Sequence, residues 1–242
     1  MHRLSVGSRL DLAGLAAAYA APTDAERWLR VNMVTTLDGA ATGADGVTGS
    51  INSPADKIVF DLLRALSDVV VVGAGTARIE GYGPLTLDPP YAALRAERGA
   101  GPTLPLAVVT RSGRLPDRLR HHRSGEVLAI TSASCPDLAT LRGGLGAEHV
   151  IVAGDTDVDL TAAMNALVSK GFRRIHSEGG PRLLGRLLGE GIVDELCLTL
   201  APRLVGGSHR RIVDAADLGL IALPHTLIHA SGDLLGRWLV GR

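Results

Sequence analysis

"VVVVGAGTARIEGYGP", residues 69–84, runs four valines into a glycine-rich turn. An unbroken β-branched run of this kind is the pattern of a strand buried on both faces of a parallel sheet. What the glycines do decides the fold. A Rossmann fingerprint needs Gly-x-Gly-x-x-Gly, whose third glycine lets the helix lie close against the strand. Here Gly73 and Gly75 are followed by Arg78, a long side chain where that packing needs a hydrogen. Gly81, Gly83 and Pro84 also stop the helix after barely one turn, and a strand and a helix already precede the stretch. It lacks the Gly-Lys-Ser/Thr ending of a Walker A loop. The glycines still permit close backbone approach, and Thr76 offers a hydroxyl and N–H groups to an anion. A plain turn over the sheet edge is the other reading, and this stretch alone leaves both open.

Working outward, strand-like and helix-like segments alternate. Residues 28–36, 105–110, 127–132, 149–153, 173–180 and 194–202 read as strands, and 227–240 as two apolar runs about a Ser-Gly-Asp turn, an antiparallel hairpin. Ser53 as N-cap and Pro54 at the first helical position open a helix over 53–67, with Ile58, Val59, Leu62, Leu63 and Leu66 at helical spacing. Residues 159–171 and 181–191 read as further helices, the second with Pro at its start and Gly at its end. Residues 38–52 read as a loop, and the proline-rich 81–104 as a loop or lid. The pattern predicts an α/β fold: a mostly parallel central sheet flanked by helices, with an antiparallel C-terminal hairpin. Residues 1–27 form an N-terminal extension with a short amphipathic helix, and 28–242 one domain.

Composition removes several function classes. Lys and Arg number 25 against 25 Asp and Glu, so no basic footprint for nucleic acid exists. Segment 9–22 is broken by Asp11 and rich in Ala, which reads as a helix and not a signal peptide, and no stretch has the length of a membrane span. Cys135 and Cys197 are the only cysteines, too few for a disulfide framework or zinc site. A cytoplasmic protein with no membrane or nucleic-acid partner is expected.

A second glycine site resolves the first. "SEGGPRLLGRLL", 177–188, leaves a strand, turns on Gly179 and Gly180 and enters a helix at Pro181. The free N–H groups of that helix start suit a pyrophosphate. Two such sites at the carboxyl ends of parallel strands suggest a crevice for a dinucleotide and a second ligand. Taken in order, "NMVTTLDGAATG", "SPADKIVFDLLRALSDVVVVGAGTARIEGYGP", "VVTRSGRLP" and "SEGGPRLLGRLLGEGIVDELCLTLAPRLVGG" resemble the reductase domain of riboflavin biosynthesis. That family is an NADPH-dependent pyrimidine reductase of dihydrofolate-reductase-like fold. The resemblance runs from about Trp28 to the C-terminus, and no His/Cys cluster of the deaminase fused to many bacterial members is present, so a stand-alone form is expected.

The resemblance implies residue roles. NADPH would touch Val34 and Ser50, pass Gly73, Gly75, Thr76 and Glu80, and reach Gly179, Gly180, Pro181, Arg182, Leu183 and Leu184, on to about Arg186. Arg111 or Arg114 would meet a 2′-phosphate, an ordinary loop charge being the rival reading for each. The pyrimidine phosphate substrate would contact Thr48, Arg64 and Glu178. Periodicity by itself places Arg64 with Lys57 and Asp61 on a polar stripe, and only the resemblance makes it a phosphate clamp. Glu178 has an independent case: a carboxylate between a strand and a Gly-Gly turn can receive pyrimidine or ribose donors, beside the alternative of helix-dipole stabilisation. Asn32 stands where bifunctional members tend to carry Lys, which leaves both the deaminated and the aminated pyrimidine open. With Glu178 it forms the expected catalytic pair, Asn32 orienting and the proton donor unassigned.

Asp38 reads as a turn former with a positioning role. His176, His209 with Arg210 and Arg211, and Cys197 read as structural, and Asp194-Glu195 as a strand-entry pair. The implied reaction opens the ribose and reduces C1′ to a ribityl chain. Reduction of a dihydrofolate-like pterin, a non-catalytic NADPH-binding protein and a scaffolding subunit are the rivals. A homodimer is expected through the edge strands, with 194–202 and the 227–240 hairpin as its surface.

Overall fold

The computed structural model describes residues 7–241. Helix α1 (Leu12–Ala18) is capped by the Asp11 carboxylate, which accepts from Gly14 N–H at 2.8 Å. Strand β1 (Trp28–Thr36) follows, then α2 (Pro54–Ala65), capped by Ser53 with Pro54 in its first turn as the sequence predicts. Next come β2 (Val69–Gly73), the six-residue α3 (Ala74–Ile79) and α4 (Pro89–Glu97). Strand β3 (Leu106–Val109) and two β/α steps follow: β4 (Val127–Thr131) with α5 (Leu138–Leu145), and β5 (Val150–Val152) with α6 (Leu160–Ser169). The chain ends with β6 (Arg174–Ser177), α7 (Pro181–Gly189), β7 (Glu195–Ala201), β8 (Ala222–Ala230) and β9 (Asp233–Val240).

The nine strands form one sheet in the order β5-β4-β3-β2-β6-β1-β7-β9-β8. Every pairing is parallel except β7 with β9 and β8 with β9. The expected architecture is therefore borne out. Val69 to Val72 are all 0% exposed, and alternate residues serve opposite layers. Val69 and Val71 pack with α6 and α7, whereas Val70 and Val72 pack with α3 and α5. The two glycine segments meet as well: Gly73 N–H donates to the Gly179 carbonyl at 2.8 Å.

Three expectations need correction. Segment 81–104 is not all loop, because Pro89 and Pro90 occupy the first turn of α4, where a missing N–H costs nothing. Helix α5 was not foreseen. Its Gly143-Gly144 pair looks like a turn, yet a Cβ at Gly144 would run into the Arg120 carbonyl, so close packing demands the glycine. Strand β7, expected at an edge, lies between β1 and β9, with alternate residues buried. The edge belongs to β8, and the hairpin begins at Ala222, five residues before the predicted 227. The N-terminal extension is fastened to the sheet: Arg237 donates to the carbonyls of Ala18 and Ala20, and Arg174 to those of Pro22 and Ala25.

Candidate active site

Two adjoining cavities open where β1, β2 and β6 end. The larger holds about 690 Å³ and the smaller about 500 Å³; Thr76, Ile79, Gly180, Pro181 and Arg210 border both.

The larger cavity gathers residues from six places in the sequence, five of which hold expected site residues or their neighbours. β1 supplies Asn32 and Val34, both buried, α2 supplies Arg64, the 41–52 segment Thr48, the turn after α3 Glu80 and Tyr82, and the end of β6 Glu178. Arg64 does not sit in bulk solvent. Its Nε and Nη2 grip Glu178 Oε1 and Oε2 at 2.6 and 2.9 Å, with the guanidinium 4.2 Å from the Phe60 ring centroid. The Tyr82 hydroxyl donates to Glu178 Oε2 at 2.6 Å. Burial works against the Glu178 charge, but Arg64 above all, with the Tyr82 hydroxyl among the lesser contributors, outweighs it and holds the carboxyl below its usual range. Burial and the Glu178 charge push the Tyr82 phenol up.

His176 lies one strand repeat before Glu178 with Nε2 3.6 Å from Oε1, and neither ring nitrogen has a hydrogen-bond partner among the described residues. Burial lowers its pKa to about 4, so at neutral pH it faces Glu178 as a neutral ring and the two are not an ion pair.

The smaller cavity is a groove along the second glycine site. Gly73, Gly75, Arg111, Arg182, Leu183 and Arg186 line it. Helix α7 begins at Gly180 without a side-chain cap, so its first N–H groups are open to a ligand. A Cβ at Gly180 would collide with the Thr76 hydroxyl, which explains the glycine and brings the two expected anion seats into contact. Arg182 is paired with Asp214 at 3.2 Å and Arg186 lies 3.6 Å from Asp157, whereas Arg111 has no acidic partner among the described residues.

Not every expected residue reaches a cavity. Ser50 turns into its own loop, its hydroxyl donating to Asp45 at 2.8 Å, and lines neither space. Leu184 is 0% exposed in the core between α7 and the sheet, and Gly179 lies beneath the groove against Met33. Arg114 faces away, 3.7 Å from Asp137.

Others were missed. Asp56 and Phe60 line the larger cavity together with Arg64, at helical positions i, i+4 and i+8 of α2. Ser208, His209 and Arg210 line it too, although His209 and Arg210 read as structural in the sequence. Asp38 brings them there. Its Oδ2 accepts from the backbone N–H groups of Val205 and Gly206 at 2.9 and 2.7 Å, and Ala41 N–H takes the Arg210 carbonyl at 2.8 Å. No sequence spacing signals a contact 167 residues apart.

A mostly parallel sheet whose strand ends hold a glycine groove, an uncapped helix start and a buried carboxylate–guanidinium pair is an arrangement that suits an enzyme of the α/β class. Residues 27–227 match the model of the RibD C-terminal domain, and the chain belongs to that family. The chain is 30% identical over 196 residues to the 2,5-diamino-6-ribosylamino-4(3H)-pyrimidinone 5′-phosphate reductase of Methanothermobacter thermautotrophicus, covering 79% of this chain and 86% of that one. The same-named reductase of Archaeoglobus fulgidus is 30% identical over 179 residues, covering 73% and 81%. A pyrimidine reductase-like protein from Corynebacterium diphtheriae superposes with a TM-score of 0.83 at 27% identity over 94% of this chain and 98% of that one.

Proposed function

We propose that this chain reduces the ribosyl group of a 5-amino-6-ribosylaminopyrimidine 5′-phosphate to a ribityl chain in riboflavin biosynthesis, with NADPH as hydride donor. The observation that carries the reading is the buried Arg64–Glu178 pair, open to a cavity that adjoins the glycine groove. Two relatives are named for the 2,5-diamino pyrimidinone, which favours the aminated substrate.

The groove fits a dinucleotide. Gly180 lets the Thr76 hydroxyl come close to the start of α7, that uncapped start suits a pyrophosphate, and Arg111, which has no acidic partner among the described residues, suits a 2′-phosphate. When bound, the nicotinamide supplies the hydride. The chain's residues orient and exclude. Glu178, held ionised, accepts N–H or O–H donors of the pyrimidine and ribose. Arg64 spends Nε and Nη2 on Glu178, and its Nη1, which has no protein acceptor among the described residues, remains for the substrate phosphate. Asn32 and Thr48 offer neutral hydrogen-bonding groups on the facing walls.

The test is NADPH oxidation with the aminated and deaminated pyrimidine phosphates and dihydrofolate in parallel. Turnover of a pyrimidine supports the reading. Turnover of dihydrofolate alone replaces it with a pterin reductase, and NADPH binding without turnover replaces it with a binding protein.

For the assembly, we infer a homodimer through β8, the exposed sheet edge, which pairs with β9 on one side only and carries the exposed Leu223 and Leu227. Light scattering that finds a monomer at micromolar concentration would reject it. No helix among the described residues is long and apolar enough to cross a membrane, and both cysteines are buried thiols, in keeping with the cytoplasmic location inferred here.

A further inference from the structure

The proposed reaction needs one proton as well as one hydride. The C1′–O4′ bond breaks with its electron pair going to O4′, and the exocyclic nitrogen lone pair forms a C=N bond. Hydride then adds to C1′ and returns that pair to nitrogen. O4′ ends as a hydroxyl, and its hydrogen must come from an acid in the cavity.

The residues at the Glu178 end do not supply it. Glu178 is held as the carboxylate by Arg64. Tyr82 already donates its hydroxyl hydrogen to Glu178. His176 is 0% exposed behind Glu178 and carries no spare proton at neutral pH.

Asp56 is the remaining acid in the larger cavity that is buried, at 3% exposure. Its place, three residues after the Ser53 cap, is where a carboxylate ordinarily reaches back to the cap N–H. No such bond forms among the described residues. The side chain takes a hydrogen bond from Thr199 of β7, and the charge acting on it is that of Asp233 of β9, itself 1% exposed and bonded by the Ser53 hydroxyl. Neither carboxylate has a cationic partner within ion-pair range among the described residues, and a buried carboxyl acted on by a like charge ionises at a cost. Burial and then the Asp233 charge raise the Asp56 pKa, against the Thr199 bond. Arg64 lines the cavity two turns further along the same helix, and Glu178, Tyr82, Glu80, His209 and Arg210 line it from other elements.

We propose that Asp56 is the general acid of this site, giving its carboxyl proton to O4′ as the C1′–O4′ bond breaks and regaining one from water at the cavity mouth. The inference rests on the reductase reading above. A positioned acid contributes roughly 100-fold or more to rate. Asp56→Asn should therefore lower kcat about 100-fold, with NADPH affinity and substrate KM unchanged. In the parent protein kcat falls as pH rises through the Asp56 titration; that limb should vanish in Asp56→Asn and be partly rescued by Asp56→Glu. Asp233→Asn, which removes the facing charge, should move the limb to lower pH, a shift that decides the matter even where Asp56→Asn fails to fold.

A folded Asp56→Asn with unchanged kcat, or an alkaline limb indifferent to Asp233→Asn, overturns the assignment. Absence of pyrimidine-dependent NADPH oxidation in the parent protein overturns the reductase reading instead, and the acid with it.

Discussion

Two Arg–Glu pairs of nearly the same geometry lie in this fold. Arg64 meets Glu178 and Arg30 meets Glu195, each with Nε to Oε1 at 2.6 Å. What surrounds them differs. Glu195 also accepts from Arg237 at 3.0 Å, Trp28 Nε1 at 2.9 Å and the Cys197 thiol at 3.2 Å. Its two arginines spend further N–H groups on the carbonyls of Tyr19, Ala18 and Ala20. That cluster is enclosed by protein, with Arg237 Nε its one buried nitrogen left without a partner among the described residues, and its product is attachment of the N-terminal segment to the sheet. Glu178 has Arg64 and Tyr82, and Arg64 is 15% exposed to a cavity against 4% for Arg30. The same ion pair is structural where its hydrogen-bonding capacity is consumed by protein and chemical where some of it faces a ligand space.

The most severe test exchanges charge for an isosteric amide in each. Glu195→Gln leaves two buried arginines without their counter-charge and should destabilise the fold by about 3–5 kcal/mol, read as a lower urea midpoint. The folded fraction should turn over normally. Glu178→Gln should move the midpoint less, because water in the cavity can solvate Arg64, while turnover falls roughly 100-fold or more. The comparison breaks if Glu195→Gln, still folded, loses activity, or if Glu178→Gln keeps it.

A smaller effect comes from His176. Its folded pKa, about 4, lies below the ordinary 6.5, so as pH falls the unfolded chain binds the proton first. Stability should then decline from about pH 6.5 to about 4. Both glutamates are depressed in the fold, so their contribution is complete above the ordinary value of 4.5 and is lost only below it. His176→Leu removes an unpartnered buried ring and should add about 1 kcal/mol at neutral pH. It should also abolish the upper part of the acid decline while leaving the part due to the glutamates. Urea titrations at several pH values check both points. An unchanged slope above the glutamate range would mean that the ring finds a partner in solution.

How much of this the sequence revealed follows the range of each interaction. Val69–Val72 and the Pro–Gly brackets of α7 are local, and both were legible. Glu178 was legible because a strand end and a Gly-Gly turn adjoin it. Arg64 was harder: its period correctly gave a polar face, but period says nothing of what lies opposite, which is Glu178 and not solvent. Asp56 was hidden by its own spacing, since Ser-x-x-Asp looks like a cap. His209 and Arg210 were out of reach, because they are delivered by a loop whose fastening point, Asp38, lies at the far end of the chain.

That fastening gives the smallest expected effect and a third kind of carboxylate. Asp38 is exposed, yet it is held ionised down to about pH 2 by the Thr36 hydroxyl and the Gly206 and Val205 N–H groups. Unlike Glu195 it closes no core, and unlike Glu178 it does not line either cavity. Its product is the course of the 205–210 loop over the larger cavity. Asp38→Ala should leave the urea midpoint and kcat alone and raise the KM for the pyrimidine a few-fold, because Ser208–Arg210 lose their fixed place. The KM contribution of this carboxylate should be flat through neutral pH, since it titrates only near pH 2. A fall in kcat equal to the rise in KM would move Asp38 from loop anchor into the chemistry, and would mean that the loop closes over the reacting atoms and not over the substrate's far end.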